Sequence, residues 1–136
     1  MPIDLSPELA WTAWMALATA LMWAPQILWL IADRGLVPAL MDGEHNITYT
    51  APWAARADRA HRNAVENLAI FAALAIAVHL TGTGDAATAS AAALFFFMRV
   101  AHFTVYVAGL SVIRTVLFLV GVGCQLTLGA RVVGLA

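Results

Sequence analysis

Arg59, Arg62, Asn63 and Glu66 are spaced i, i+3, i+4, i+7, and Arg99, His102 and Tyr106 are spaced i, i+3, i+7. On helices, each set forms one stripe. Arg114, with Thr115 beside it, follows downstream. Guanidinium groups suit fixed, multidentate recognition of carboxylates, and a carboxylate such as Glu66 suits a cation. Cations outnumber anions in these stripes. Arginine held out of water in excess calls for an anion from outside the chain. A competing reading pairs Arg59 or Arg62 with Glu66 in salt bridges that only fix the bundle, and lets Arg56 and Arg99 snorkel to the interface. All seven cations of the chain are arginine and none is lysine, a bias that a GC-rich genome also produces.

The elements that must carry these stripes are membrane helices. The chain has 136 residues, is 62% hydrophobic and 11% charged, and its mean hydropathy of +0.83 excludes an ordinary soluble domain. A bilayer core of about 30 Å needs about 20 helical residues per crossing. The length therefore suits three or four spans in one integral membrane domain, 1–136, with no separate soluble domain. A net charge of -1 carries little information about partners, and no nucleic-acid partner is expected.

Residues 9–32 are free of charge, enough for a first span, with a kink expected at Pro25. No basic residue precedes this run and no small-residue cleavage site follows a short core, so it reads as a span and not as a removed signal peptide. Residues 33–51 read as a loop, and Thr50 with Pro52 marks a helix start. Further spans are expected at 52–81, 86–107 and 112–134, separated by Thr81-Gly82-Thr83-Gly84 and by a turn near Gly109. Short connections make sequential neighbours antiparallel. The expected fold class is an all-α membrane protein, a four-transmembrane-helix antiparallel bundle.

Arg34, Arg56, Arg59 and Arg62 lie in or beside the first loop and Arg114 beside the third, whereas the second loop has no arginine. The first and third loops are thus expected in the cytoplasm and both termini outside. Trp11 and Trp14 at one end of the first span, and Trp29 and Trp53 at the other, suit the two interfaces. Arg131 is an exception to the pattern. With this orientation, both polar stripes and Arg114 meet at the cytoplasmic ends of the last three spans. The uncharged stretch from Asn67 to Thr81 would cover only about 22 Å at about 1.5 Å per residue, which brings Asn63 and Glu66 to the membrane boundary. The stretch Ala86 to Met98 is shorter still, which draws Arg99 and His102 into the inner leaflet.

Other polar residues read as structural. Cys124 lies in apolar surroundings and suits packing, not nucleophilic attack. His79 reads as an interface residue and His61 lies off the stripe. No second histidine stands at ligating spacing, so no metal site is expected. The alanines at 86, 87, 89, 91, 92 and 93, with Gly121 and Gly123, permit close helix approach and favour oligomers.

The run Arg59-Ala60-His61-Arg62-Asn63-Ala64-Val65-Glu66-Asn67, followed by Phe71, resembles the MAPEG family, membrane-associated proteins in eicosanoid and glutathione metabolism. Arg99-Val100-Ala101-His102, with Tyr106 and Arg114 downstream, resembles that family's third span and the start of its fourth. The likeness is greatest to the microsomal prostaglandin E synthase and microsomal glutathione transferase branches. It covers essentially the whole chain.

The resemblance implies a homotrimer of four-helix subunits that binds a bent glutathione between neighbouring subunits at the cytoplasmic side. Arg59, Arg62, Asn63, Glu66, His102 and Tyr106 would then contact glutathione, with Arg99 as a further donor. Arg114 would face the sulfur as the catalytic residue, with Thr115 as a second sulfur donor. Glutathione has two carboxylates for arginines and an ammonium for Glu66. Ala69 departs from the proline of many relatives, which implies a milder bend in the second span. Relatives carry further basic or acidic site residues in the first loop, where Arg34 and Asp42 stand; neither is counted among the implied site residues.

The implied function is a glutathione-dependent membrane transferase acting on lipophilic electrophiles that enter from membrane lipid, with peroxide reduction or isomerisation as variants. The alternative is a non-catalytic lipid-binding or scaffold member of the same family. A small multidrug exporter ranks last, because the first span lacks the embedded glutamate typical of that class. The expected localisation is an integral, multi-pass membrane protein, in the inner membrane if the source is bacterial.

Overall fold

The computed structural model describes residues 5–41 and 48–135. Every regular element among them is helical: α1 (Pro7–Leu21), α2 (Ala24–Arg34), α3 (Leu36–Met41), α4 (Pro52–Thr81), α5 (Ala86–Ala108) and α6 (Ser111–Val132). Four stretches are long and apolar enough to cross a membrane: Pro7–Arg34, Pro52–Thr81, Ala86–Ala108 and Ser111–Val132. Leu17, Leu28, Ile70, Leu80, Leu119 and Leu126 stand exposed on the bundle's outside, as helices surrounded by lipid tails require.

The first span is two helices. α1 ends as the Met22 N–H bonds back to Ala18 O at 3.1 Å and Thr19 O at 3.2 Å. Pro25 then sits in the first turn of α2, where its missing N–H would have had no helical partner. The kink expected at Pro25 is thus a break at Met22 and Trp23, just before it. Residues 33–51 are not wholly loop, since α3 forms within them, and Asp42 lies outside the described residues.

Contacts at the ends show the antiparallel order. At one end Arg56, early in α4, donates from Nε to Val107 O near the end of α5 at 2.8 Å. At the other end Glu8 of α1 accepts from Thr88 Oγ1 of α5 at 2.6 Å, and Asp85 before α5 pairs with Arg131 of α6 at 2.6 Å. Arg131, the exception to the expected charge pattern, thus has a carboxylate partner at the start of α5. Asp85 also caps α5, accepting from the backbone N–H groups of Ala87 and Thr88, while Thr88 Oγ1 accepts the Asp85 N–H, a reciprocal capping box. Gly109 ends α5 at φ +84°, a left-handed conformation that a side chain disfavours.

α4 packs against α1, α2, α5 and α6. Its contact face is Ala54, Ala57, Ala60, Ala64, Asn67, Phe71, Ala75 and Val78, and the small residues of its first turns let neighbouring backbones approach. Phe71 stacks on Phe95 with ring centroids 4.0 Å apart and planes 4° from parallel. Met15, Ala92, Cys124 and Leu128 complete this core. With 30 residues, α4 extends about 45 Å at about 1.5 Å per residue. That is longer than a bilayer core of about 30 Å, so its first turns, which carry Arg56, Arg59 and Arg62, reach the boundary or beyond.

Candidate functional site

The stripe on α4 divides. At about 100° per residue, Asn63, Arg56 and Asn67 lie about 40°, 60° and 80° to one side of Arg59, whereas Glu66 and Arg62 lie about 20° and 60° to the other. The first three turn toward α5 and α6. Arg56 fastens α5, and its guanidinium lies about where a Cβ on Gly109 would make contact, at 3.5 Å. Asn67 is buried and Asn63 half-buried, while Arg59, Arg62 and Glu66 are exposed on the outside of the bundle.

Arg99, expected from sequence to be a donor to an outside anion, lies inside the bundle at 1% exposure. Its Nη2 lies 2.6 Å from Asn63 Oδ1 and 3.0 Å from Asn63 O. The guanidinium carbon is 6.0 Å from the Phe95 ring centroid and 5.8 Å from that of Phe118. Gly121 makes room for the stem, since a Cβ there would stand 3.5 Å from Arg99 Cδ. Nε and Nη1 have no hydrogen-bond partner among the described residues.

This contact decides what Asn63 can do. Both of its oxygens accept from Arg99, and its main-chain oxygen also accepts from Asn67 Nδ2 at 2.9 Å. The amide group left without a partner among the described residues is Nδ2, a donor. Arg59, Arg62 and Asn63 therefore offer donors on a common helix, and Glu66 offers the acceptor.

The salt bridges weighed from sequence do not form. Arg62 pairs with Asp58 at 2.9 Å with its own side chain 73% exposed, and Glu66 makes no ion pair among the described residues. An exposed i, i+4 pair of this kind is weak and exchangeable, so Arg62 remains open to a stronger anion.

His102 is 3% exposed, its ring 5.6 Å from Tyr106 and 6.2 Å from Phe118. It belongs with Arg99 in the interior. Tyr106 is half-buried, and Arg114 lays its guanidinium over the Tyr106 ring with Cζ 4.4 Å from the centroid. This cation–π contact restrains a side chain otherwise rich in rotamers. Thr115 is exposed, and its Oγ1 donates to Ser111 O at 3.0 Å. The antiparallel order places Arg114 and Tyr106 at the same end of the bundle as Arg59 and Arg62.

Glu8 and Gln125, which the sequence pattern did not single out, bond neighbouring helices. Glu8 is buried at 2% through Thr88, a partner 80 positions away that no local pattern announces. Gln125 is 7% exposed and bonds Asn67 across α4 and α6. Here a signal existed: a lone amide in an apolar span is costly unless it is hydrogen-bonded.

The polar groups at this end of the bundle differ in what they could recognise. Arg59, Arg62 and Asn63 Nδ2 suit carboxylate or carbonyl oxygens, Glu66 suits an ammonium, and a restrained Arg114 supplies fixed positive charge. No curated protein and no solved structure gave a match to the chain. The model of the MAPEG family matches residues 9–134. With nearly its whole length matched, the chain belongs to the MAPEG family, membrane-associated proteins in eicosanoid and glutathione metabolism.

Proposed function

We propose that the chain is a glutathione-dependent membrane transferase that joins the glutathione sulfur to lipophilic electrophiles. The observation that carries this reading is the division of the α4 stripe. Arg59, Arg62 and Glu66 are exposed while Asn63 is locked to Arg99 with only its donor free. A scaffold has no need of three donors and one acceptor held outward at the boundary of a membrane.

Arg59, Arg62 and Asn63 take the carboxylates and carbonyls of glutathione, and Glu66 takes its ammonium. A face of this kind on one subunit needs cover to exclude water, and a homotrimer supplies it, with a neighbouring subunit closing the site. The arginine-rich ends face the cytoplasm. Arg99 and His102 support the site from within the bundle, and Thr115 stands beside Arg114 as a second donor to sulfur.

A free thiol has a pKa of about 8.5. Arg114, restrained over Tyr106, favours the thiolate by its charge and raises the nucleophile's population at neutral pH. With a chloronitrobenzene, the thiolate sulfur bonds the ring carbon, the carbon–chlorine bond breaks, and chloride leaves with the electron pair. The second substrate reaches this end of the bundle from the lipid, across the apolar outer faces.

The test is made on protein purified in detergent, by measuring glutathione binding, ultraviolet thiolate absorbance and conjugation of a chloronitrobenzene. Binding with a thiolate signal and conjugate formation is the expected result. Absence of both thiolate and conjugate overturns the transferase reading in favour of a lipid-binding scaffold.

A further inference from the structure

Gln125 is the one amide in α6 and is flanked on both sides by apolar residues, glycine and cysteine from Val116 to Leu126. Its Nε2 donates to Asn67 O at 3.1 Å and makes a longer contact, 3.5 Å, with Asn67 Oδ1. Both residues are 7% exposed, so these bonds form away from water, where geometry is most strictly enforced. The Nε2 group can only donate. It therefore favours the Asn67 carboxamide with its oxygen toward α6 and its nitrogen along α4, and that nitrogen donates to Asn63 O at 2.9 Å. Arg99 reaches the same carbonyl at 3.0 Å and the Asn63 side-chain oxygen at 2.6 Å.

We infer that Gln125 and Asn67 are positioning residues for the glutathione site: a relay from α6 through Asn67 to the Asn63 main-chain oxygen, where Arg99 also bonds, so that Arg99 is held where it fixes Asn63 Oδ1 and leaves Nδ2 as the free donor. The inference rests on the proposed function, since it names what orients one of that site's ligands. Neither Gln125 nor Asn67 touches glutathione. Their effect is on how well Asn63 is prepared to donate, which is a matter of affinity for glutathione more than of the chemical step.

The test compares the parent with Gln125→Met, which keeps the shape and removes the donor, with Asn67→Ala, which removes the donor to Asn63, and with the double variant. Glutathione affinity is read by calorimetry, and KM for each substrate and kcat by conjugation of a chloronitrobenzene. Each single variant is expected to weaken glutathione binding about three- to tenfold, the effect of one buried hydrogen bond. KM for glutathione should rise by more than kcat changes, and KM for the electrophile should hold. The double variant should be little worse than Asn67→Ala alone, because both lie on one relay. Parental affinity in either single variant overturns the inference, as do additive losses in the double variant or a fall in kcat with a rise in both KM values. If Gln125→Met fails to fold, Asn67→Ala decides alone: parental affinity in it overturns the relay. A parent that binds no glutathione overturns the proposed function itself, whereas a parent that binds it beside an unaffected Gln125→Met removes only the relay.

Discussion

Arg99 of α5 places Nη2 2.6 Å from Oδ1 of Asn63 on α4 and leaves its Nε and Nη1 without partners among the described residues. A guanidinium so incompletely satisfied is a poor stabiliser, because the cost of taking it out of water is repaid only by full hydrogen bonding. Its effect falls on Asn63. Stability and function should therefore separate at this position.

Arg99→Met keeps the apolar stem against Gly121, Phe95 and Phe118 and removes the charge. Stability should change by no more than about 1 kcal/mol, since an apolar replacement of a buried ion is often neutral. Glutathione affinity should fall about tenfold or more as Asn63 loses the donor that fixes its amide. Thermal unfolding in detergent alongside calorimetry reads both, and a large loss of stability with unchanged affinity would contradict this account.

Arg114→Ala should leave glutathione binding close to that of the parent and lower conjugation at neutral pH. The sign of the pH effect follows from charge. Without the guanidinium, the bound thiol ionises closer to its free value of about 8.5, so the rising limb of the rate against pH moves to higher pH. Tyr106→Leu removes the ring beneath the guanidinium and should give an intermediate displacement. Thiolate absorbance against pH is the measurement, and superimposable curves for parent and Arg114→Ala would refute the role.

Thr88→Val deprives Glu8 of its hydroxyl donor while preserving shape. A buried carboxylate left without that bond costs about 1–3 kcal/mol, so the variant should unfold at a lower temperature. Glutathione affinity should be unchanged, because this pair lies at the opposite end of the bundle from Asn63.

The Asp85 carboxyl is held below its ordinary value of 3.8, first by the Thr88 backbone N–H and further by Arg131 and the Ala87 N–H. A carboxyl whose native value is depressed contributes stability above its ordinary range and loses it as pH falls through the depressed value. The difference in melting temperature between the parent and Asp85→Ala should be constant above about pH 5 and shrink through and below 3.8. A difference that stays constant into strong acid would argue that the cap and the Arg131 pair are not charge-dependent.

Much of this molecule follows from local pattern. Long uncharged runs bounded by Pro52, Gly82 and Gly109 become helices because backbone groups in lipid must bond within their own segment. The spacing of Arg59, Arg62 and Glu66 puts them on one face whatever surrounds the helix. Arg59-Ala60-His61-Arg62-Asn63 with Glu66 also carries the family likeness. Each of these rests on residues within a turn or two of one another.

What periodicity leaves open is which edge of a stripe meets a neighbour. Asn63 lies only about 40° around the helix from Arg59, yet it is bonded to α5 while Arg59 is exposed. Arg99 and Glu8 belong to the interior because Asn63 and Thr88 are there to receive them, 36 and 80 positions away. Hydropathy records the cost of burying such groups but not the partner that offsets it. Local pattern was enough to set the helices and the chemical types at one end of the bundle. The packing of α4 against α5 and α6 decided which of those groups lie inside the bundle and which stand open, because hydrogen bonds between helices depend on their register and separation.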